Sequence, residues 1–250
     1  MVKDTSWQKS SQWYQKHMKD VGSYNHQELI LPKLLQILSL KNNDSLLDLG
    51  CGQGILGQSI DPKISYMGLD SSVSLIKMAK KNDPSKGHSY LVKDVTKPLT
   101  LKETFTHATF VLCLQNMSDP KKALLEASKA LKQNGKLVLV INHPCFRIPK
   151  YSSWGFLDNH KGQYRRVDRY LSSFKSPLQT HPSKGDDSPI TWSFHHPISD
   201  YFKFLKEADF LVDDLIEISS NKKSYGKAAK AENFARKEFP LFMIISAIKK

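Results

Sequence analysis

The stretch Leu46-Leu47-Asp48-Leu49-Gly50-Cys51-Gly52-Gln53-Gly54 decides the fold. An apolar strand carrying one acidic residue breaks into alternating glycines. Without Cβ atoms at Gly50, Gly52 and Gly54 the backbone turns sharply, and a ligand can lie almost against the peptide planes. That is a cradle for a nucleotide-type cofactor. Gly52-Gln53-Gly54-Ile55-Leu56-Gly57 also satisfies the dinucleotide fingerprint G-x-G-x-x-G. The strand ends at Leu49, however, so the first turn glycine is Gly50 and Gly57 falls inside the following helix.

A second anchor is expected at the end of the next strand, where a carboxylate accepts ribose hydroxyls. Ser65-Tyr66-Met67-Gly68-Leu69-Asp70 ends in Asp70, about 20 residues after Gly50, the length of one helix and its return strand. Ser71-Ser72 reads as the N-cap of a helix through Val73, Ile76 and Lys80. A third anchor, Asp94-Val95, closes the strand Ser89–Val92. All three lie at strand ends, the edge where open α/β sheets bind ligands.

The run 46–54 resembles motif I of the class I S-adenosylmethionine-dependent methyltransferases: a hydrophobic run, Asp or Glu, one residue, then G-x-G-x-G. Leu114-Gln115-Asn116-Met117-Ser118-Asp119-Pro120 resembles the same stretch in ubiquinone- and menaquinone-pathway methyltransferases. The resemblance implies S-adenosyl-L-methionine as cofactor. It carries over to Asp48, Gly50, Cys51, Gly52, Gly54, Asp70, Ser71, Asp94, Val95, Val111 and Leu112 as cofactor-binding residues, with Asp94 on the adenine amino group and Val95 lining the ring. It also implies that residues 1–26, polar with aromatic islands at Trp7, Trp13, Tyr14 and Tyr24, form a helix closing over the cofactor.

The pattern predicts a single α/β domain over residues 1–250: a Rossmann-like seven-stranded sheet, mostly parallel, with an antiparallel C-terminal strand and helices on both faces. An N-terminal helical cap covers 1–44, with Leu31, Leu34, Leu35 and Leu38 at helical spacing. The core then alternates: strand 45–49, helix 54–60, strand 65–69, helix 72–80, strands 89–92 and 108–114, helix 119–132 stopped by Asn134-Gly135, and strand 136–142. Residues 95–105 are too short for more than a turn. A helix over 198–210 and strands over 211–218 and 240–248 follow. The last two strands are joined without a normal helical crossover, which implies an antiparallel hairpin at the sheet edge. A dehydrogenase's six parallel strands do not predict this ending. Residues 219–238 form a short basic helix on the rim.

The formal charge is +13 and 40% of residues are hydrophobic, enough to cover both faces of a sheet. No apolar stretch is long enough to span a membrane, and no signal peptide is read at the start. Cys51, Cys113 and Cys145 are odd in number and lack C-x-x-C spacing. A disulfide framework and a structural metal site are therefore not expected, and a cytoplasmic location is. The basic balance keeps RNA open as an alternative partner to a small-molecule acceptor.

Residues 147–197 lack a clear period but carry Tyr151, Trp154, Phe156, Tyr164, Tyr170, Phe174, Trp192 and Phe194. Irregular segments beyond roughly 15 residues are usually functional or disordered, and the aromatics argue against disorder. The segment reads as an inserted substrate lid, with room for a few short strands. Methyl transfer is an in-line displacement in which the protein supplies alignment and water exclusion. The expected acceptor is an oxygen or nitrogen atom of a small molecule, and a base is needed only if that acceptor is a hydroxyl or a protonated amine. His143, leaving the fifth strand, is the first candidate, and His195 or His196 at the end of the lid is the second. Cys145 reads as structural. Arg147, Lys150, Lys161, Arg165, Arg166 and Arg169 fit either a carboxylated or phosphorylated small molecule or single-stranded RNA. A regulator that binds the cofactor without turnover is the remaining alternative.

Overall fold

A computed structural model describes residues 7, 8, 22–83, 85–157, 161–179, 188 and 190–250. The remaining residues, including Trp13 and Tyr14 of the expected N-terminal helix, lie outside the described set.

Seven strands form the central sheet in the order β10-β11-β5-β4-β1-β2-β3. They are β1 (Ser45–Leu49), β2 (Ser65–Asp70), β3 (His88–Val92), β4 (Phe105–Val111), β5 (Leu131–Asn142), β10 (Phe210–Ile218) and β11 (Phe242–Lys249). β1 pairs in parallel with β2 and β4, β2 with β3, and β4 with β5. β11 runs antiparallel to both β5 and β10. The sheet is thus mostly parallel with an antiparallel end, as the hairpin argument required.

Alternation along the strands separates two cores, because successive side chains point to opposite faces. Leu47, Leu49, Leu137, Leu139, Ile141, Met243 and Ile245 bury on one face. Leu46, Tyr66, Val138, Val140, Phe242 and Ile244 bury on the other. The first face is covered by α3 (Pro120–Ala130) and α4 (Ile198–Glu207), the second by α1 (Leu31–Leu38) and α2 (Val73–Asn82). Each fully buried Leu contributes about 1.5–3 kcal/mol.

Local chemistry sets the helix ends. Ser72 caps α2 by accepting from the Leu75 N–H, and Asp119 caps α3 by accepting from the Lys122 N–H, with Pro120 in the first turn where its missing N–H costs nothing. α5 (Ala229–Glu238) occupies the basic rim.

Four expectations are corrected. Residues 54–60 form turns and a short 3-10 segment, Gly57–Ser59, instead of a regular helix. Two glycines weaken helix formation there, and the Gly57 backbone is pressed so closely on Tyr90 that a Cβ would collide with its hydroxyl. β4 spans Phe105–Val111, not 108–114, because Leu112 turns left-handed at φ 52°. α3 ends at Ala130, and Asn134, at φ 61°, lies in the entry to β5 where the pairing to β4 shifts register. The helical cap opens with a single π-helical turn, His26–Ile30, before α1. The segment 95–105 is a turn, as read.

The insertion forms two antiparallel hairpins: β6 (Ser152–Phe156) with β7 (Gln163–Val167), and β8 (Phe174–Gln179) with β9 (Ile190–His195).

Candidate functional site

The loop after β1 is held open by two features. Gly50, Gly52 and Gly54 all adopt positive φ, at 78°, 57° and 79°, which residues with a Cβ rarely do. A Cβ on Gly50 would lie 2.7 Å from Cys113 Sγ, and one on Gly54 2.9 Å from the Tyr90 hydroxyl. Behind the loop, Tyr90 and His88 both donate to Asp83 Oδ2 at 2.6 Å, which fixes the ring that the glycines rest on.

Asp70 holds the loop from the opposite side. Its Oδ2 accepts from the Gly52 N–H at 3.0 Å and its Oδ1 from the Ser72 N–H at 2.8 Å. Burial raises its pKa while these two N–H groups lower it. Asp48 is buried beneath the loop and accepts from the Tyr66 hydroxyl at 2.8 Å and the Thr109 hydroxyl at 3.0 Å. Burial pushes its pKa up to about 6 against those hydrogen bonds.

A cavity of about 230 Å³ opens in front of the loop, bounded by Gly50, Gly52, Asp70, Val111, Leu112 and Asn142, among others. A smaller space behind it is lined by Asp48, Cys51 and His26. Trp7 and His26 from the N-terminal segment and Leu178 from β8 also border the main cavity. Gln8 fastens that segment to the head of α2, accepting from the Ser72 hydroxyl at 2.9 Å. Glycine spacing gave no signal for His26, whose burial lowers its pKa to about 4. It therefore adds no cationic charge beside Asp48 and Asp70 near neutral pH.

Leu75, Cys113, Gln115 and Asn116 complete the lining, and none was named from the sequence as a cofactor residue. The left-handed Leu112 brings Gln115 and Asn116 in, because its carbonyl accepts from their side-chain amides at 2.9 and 3.4 Å. Gln115 Oε1 is left buried without a partner among the described residues. Open main chain at Gly50 and Gly52 and a carboxylate at the next strand end together fit a nucleoside carrying ribose hydroxyls.

Residues 47–139 match the family model described as Methyltransferase domain. Over those residues the chain is similar to the class I S-adenosylmethionine-dependent methyltransferases. Over 124 residues it is 32% identical to a demethylmenaquinone methyltransferase of Chlamydia pneumoniae, covering 48% of this chain and 53% of that protein. The chain thus spans about half the length of the curated relatives it matches. An S-adenosylmethionine dependent methyltransferase from Mesorhizobium loti superposes with a TM-score of 0.68 at 23% identity, over 87% of this chain and 96% of that one. The glycopeptide N-methyltransferase MtfA complexed with S-adenosylmethionine superposes at 0.58 and 13% identity, over 87% of this chain and 92% of that one. These two likenesses concern the fold.

Several expected cofactor contacts lie elsewhere. Asp94 Oδ1 is occupied by the Thr96 N–H and hydroxyl at 3.0 and 2.7 Å, and its other oxygen faces Lys97. Val95 is buried in the first core. Ser71 is exposed at the strand end, and Gly54 acts through packing under the loop. None of these four borders the described cavities.

The candidate bases also separate. His143 is buried with both ring nitrogens engaged: Nε2 meets Glu217 Oε1 at 2.7 Å, and Nδ1 accepts from the Cys145 N–H at 3.2 Å. Burial lowers its pKa against the pull of Glu217. It does not border the cofactor cavity. His195 Nε2 meets the Tyr170 carbonyl at 2.8 Å, so that ring braces the lid. His196 differs: Nδ1 meets Asp200 Oδ2 at 3.3 Å, while Nε2 is buried without a partner. It faces a niche of about 20 Å³ whose other walls include Gln115 and Asn142, residues shared with the cofactor cavity. Burial raises the Cys51, Cys113 and Cys145 thiols, which disfavours thiolate chemistry. No cluster that could hold a metal occurs among the described residues.

Proposed function

We propose that the chain transfers the methyl group of S-adenosylmethionine to an oxygen or nitrogen atom of a small-molecule acceptor. The observation that carries this reading is the niche that shares the walls Gln115 and Asn142 with the cofactor cavity and is also lined by His196, with Gln115 Oε1 and His196 Nε2 both buried and without a hydrogen-bond partner among the described residues. Buried polar atoms without partners are costly, and an acceptor bearing an O–H or N–H would satisfy both.

Gly50, Gly52 and Asp70 would hold the cofactor, with Asp70 offering its remaining lone pairs to the ribose hydroxyls. Two buried carboxylates beneath a cation also favour its binding in a chain that is basic overall. When bound, S-adenosylmethionine supplies a methyl group activated on a sulfonium and departs as a neutral thioether. His196 Nε2 takes the proton that the acceptor atom gives up, and Asp200 keeps the imidazole in the tautomer with hydrogen on Nδ1. The hairpin β8–β9, which places Leu178 on the cavity, serves as the lid that excludes water.

The Chlamydia relative's name specifies demethylmenaquinone, but the match covers 48% of this chain and 53% of that protein, so an acceptor does not transfer with it. The RNA reading loses support in the insertion: Arg166 pairs with Asp168 at 2.8 Å, and Arg169 lies over the Tyr151 and Phe174 rings. The test is incubation of the full chain with methyl-labelled S-adenosylmethionine and a fractionated cell extract. Label in the low-molecular-weight fraction that hot hydriodic acid releases as iodomethane supports an O- or N-methyl product, and label that it leaves on carbon overturns it. Label sensitive to ribonuclease overturns it.

A further inference from the structure

A second cavity, of about 250 Å³, lies beside the first hairpin and is walled by Phe146, Arg147, Trp154, Arg165 and Phe239. Its chemistry is unlike the cofactor cavity's. Trp154 and Phe239 meet edge to face with centroids 5.3 Å apart, and Phe146 and Phe239 do so at 5.4 Å. These rings form an apolar slot bordered by two guanidinium groups.

Among the described residues no carboxylate oxygen lies within 4 Å of Arg147 or Arg165. Arg165 donates from Nε to the Phe146 carbonyl and from Nη2 to the Ser152 hydroxyl, both at 2.7 Å, and its guanidinium lies 5.0 Å from the Trp154 ring centroid. That fixes one guanidinium on the wall while its remaining N–H groups stay available. Arg147 sits at the mouth, exposed, 5.1 Å from the Phe242 ring centroid. An anion between the two guanidiniums would accept charge-assisted hydrogen bonds from both while its ring filled the aromatic slot. Arg147 also borders the His196 niche, so the two spaces adjoin.

We propose that this cavity binds an aromatic anion, a ring bearing a carboxylate or phosphate, and that this anion is the distal part of the methyl acceptor. The second half of the proposal rests on the functional reading above. The acceptor would run from Arg165 past Arg147 to the Gln115–His196 niche, placing its nucleophilic atom at the cofactor cavity and its charge at the far end.

The test uses the full chain with phenyl phosphate and benzoate as separate probes, phenol as the uncharged control and S-adenosylhomocysteine as the probe of the cofactor cavity. Calorimetry is expected to show either anion binding at least tenfold more tightly than phenol. Arg147→Met and Arg165→Met are each expected to weaken the anion at least tenfold and to leave S-adenosylhomocysteine affinity unchanged. Arg147 makes no hydrogen bond that holds the hairpin, so its variant reports even if Arg165→Met unfolds. Anion binding that ignores Arg147→Met overturns the site, whatever the cofactor does. Displacement of the anion by a short RNA with a steep salt dependence overturns the small-molecule assignment. Failure of wild-type chain to bind S-adenosylhomocysteine, with anion binding intact, counts against the methyl-transfer reading and removes the acceptor role.

Discussion

Replacing Asp70 by Asn changes one oxygen to an amide and almost nothing in volume. In the native loop Oδ1 takes the Ser72 N–H at 2.8 Å and Oδ2 the Gly52 N–H at 3.0 Å. An amide keeps one acceptor, so one backbone N–H must face an NH2 group. A hydrogen bond to a charged acceptor is worth about 1.5–3 kcal/mol, and the unfolding free energy of Asp70→Asn should fall by that amount. The same loss recurs on binding, because a ribose diol donates two O–H groups and the amide can accept only one of them. Affinity for S-adenosylhomocysteine should therefore drop by a further ~1.5–3 kcal/mol, roughly ten- to hundredfold. Urea unfolding reads the first quantity and titration calorimetry on the folded variant reads the second. An S-adenosylhomocysteine affinity within twofold of wild type would refute the assignment of Asp70 to the ribose. A stability loss with no affinity loss would leave it a loop brace alone.

Gly50→Ala should cost about 1–2 kcal/mol of stability from the positive φ alone, and should abolish measurable cofactor binding because the new Cβ meets Cys113 Sγ at 2.7 Å; wild-type calorimetry would contradict this. Once an acceptor is in hand, His196→Gln should lower kcat by about 10²-fold or more with S-adenosylhomocysteine affinity unchanged. His143→Gln should instead cost about 1–3 kcal/mol of stability by breaking its Glu217 and Cys145 contacts; the reverse pattern would reinstate His143 as the base. Two buried groups oppose each other in acid. Asp48, raised from 3.8 to about 6, gives the native state extra protons in that window, so its contribution falls as pH rises through it. His26, lowered from 6.5 to about 4, leaves the native state short of protons between those values, so its contribution grows as pH rises. From these two groups wild type should be nearly flat between pH 4.5 and 5.5. His26→Gln should uncover a decline of about 1.4 kcal/mol per unit and Asp48→Asn a rise; urea midpoints with one common pH slope in all three proteins would refute the pairing.

The cofactor half was legible because its constraints are local. A positive φ demands glycine at positions 50, 52 and 54, an apolar alternation fixes β1, β2 and β5, and Ser72 and Asp119 announce the helices they cap. Contacts set by distant chain were not legible. Leu112 turns left-handed inside an apolar run that reads as strand, and nothing near it in sequence announces that its carbonyl will take two side-chain amides. Asp94 followed the family's spacing, yet Thr96 two residues on claims its oxygen. The two candidate bases of the lid are adjacent in sequence, and only the fold turns His195 onto the Tyr170 carbonyl while leaving His196 Nε2 unpaired. His26 escaped notice because its role depends on the π-helical turn that presents it to the cavity. Arg147 and Arg165, 18 residues apart in sequence, share a cavity because the first hairpin folds back over the end of β5.

The most direct measurement is a co-crystal structure of the full chain with S-adenosylhomocysteine. It should show the nucleoside in the cavity bounded by Gly50, Gly52 and Leu112, with both ribose hydroxyls on Asp70. Crystals grown at saturating ligand with that cavity free of it, or with the ligand seated elsewhere, would contradict the account.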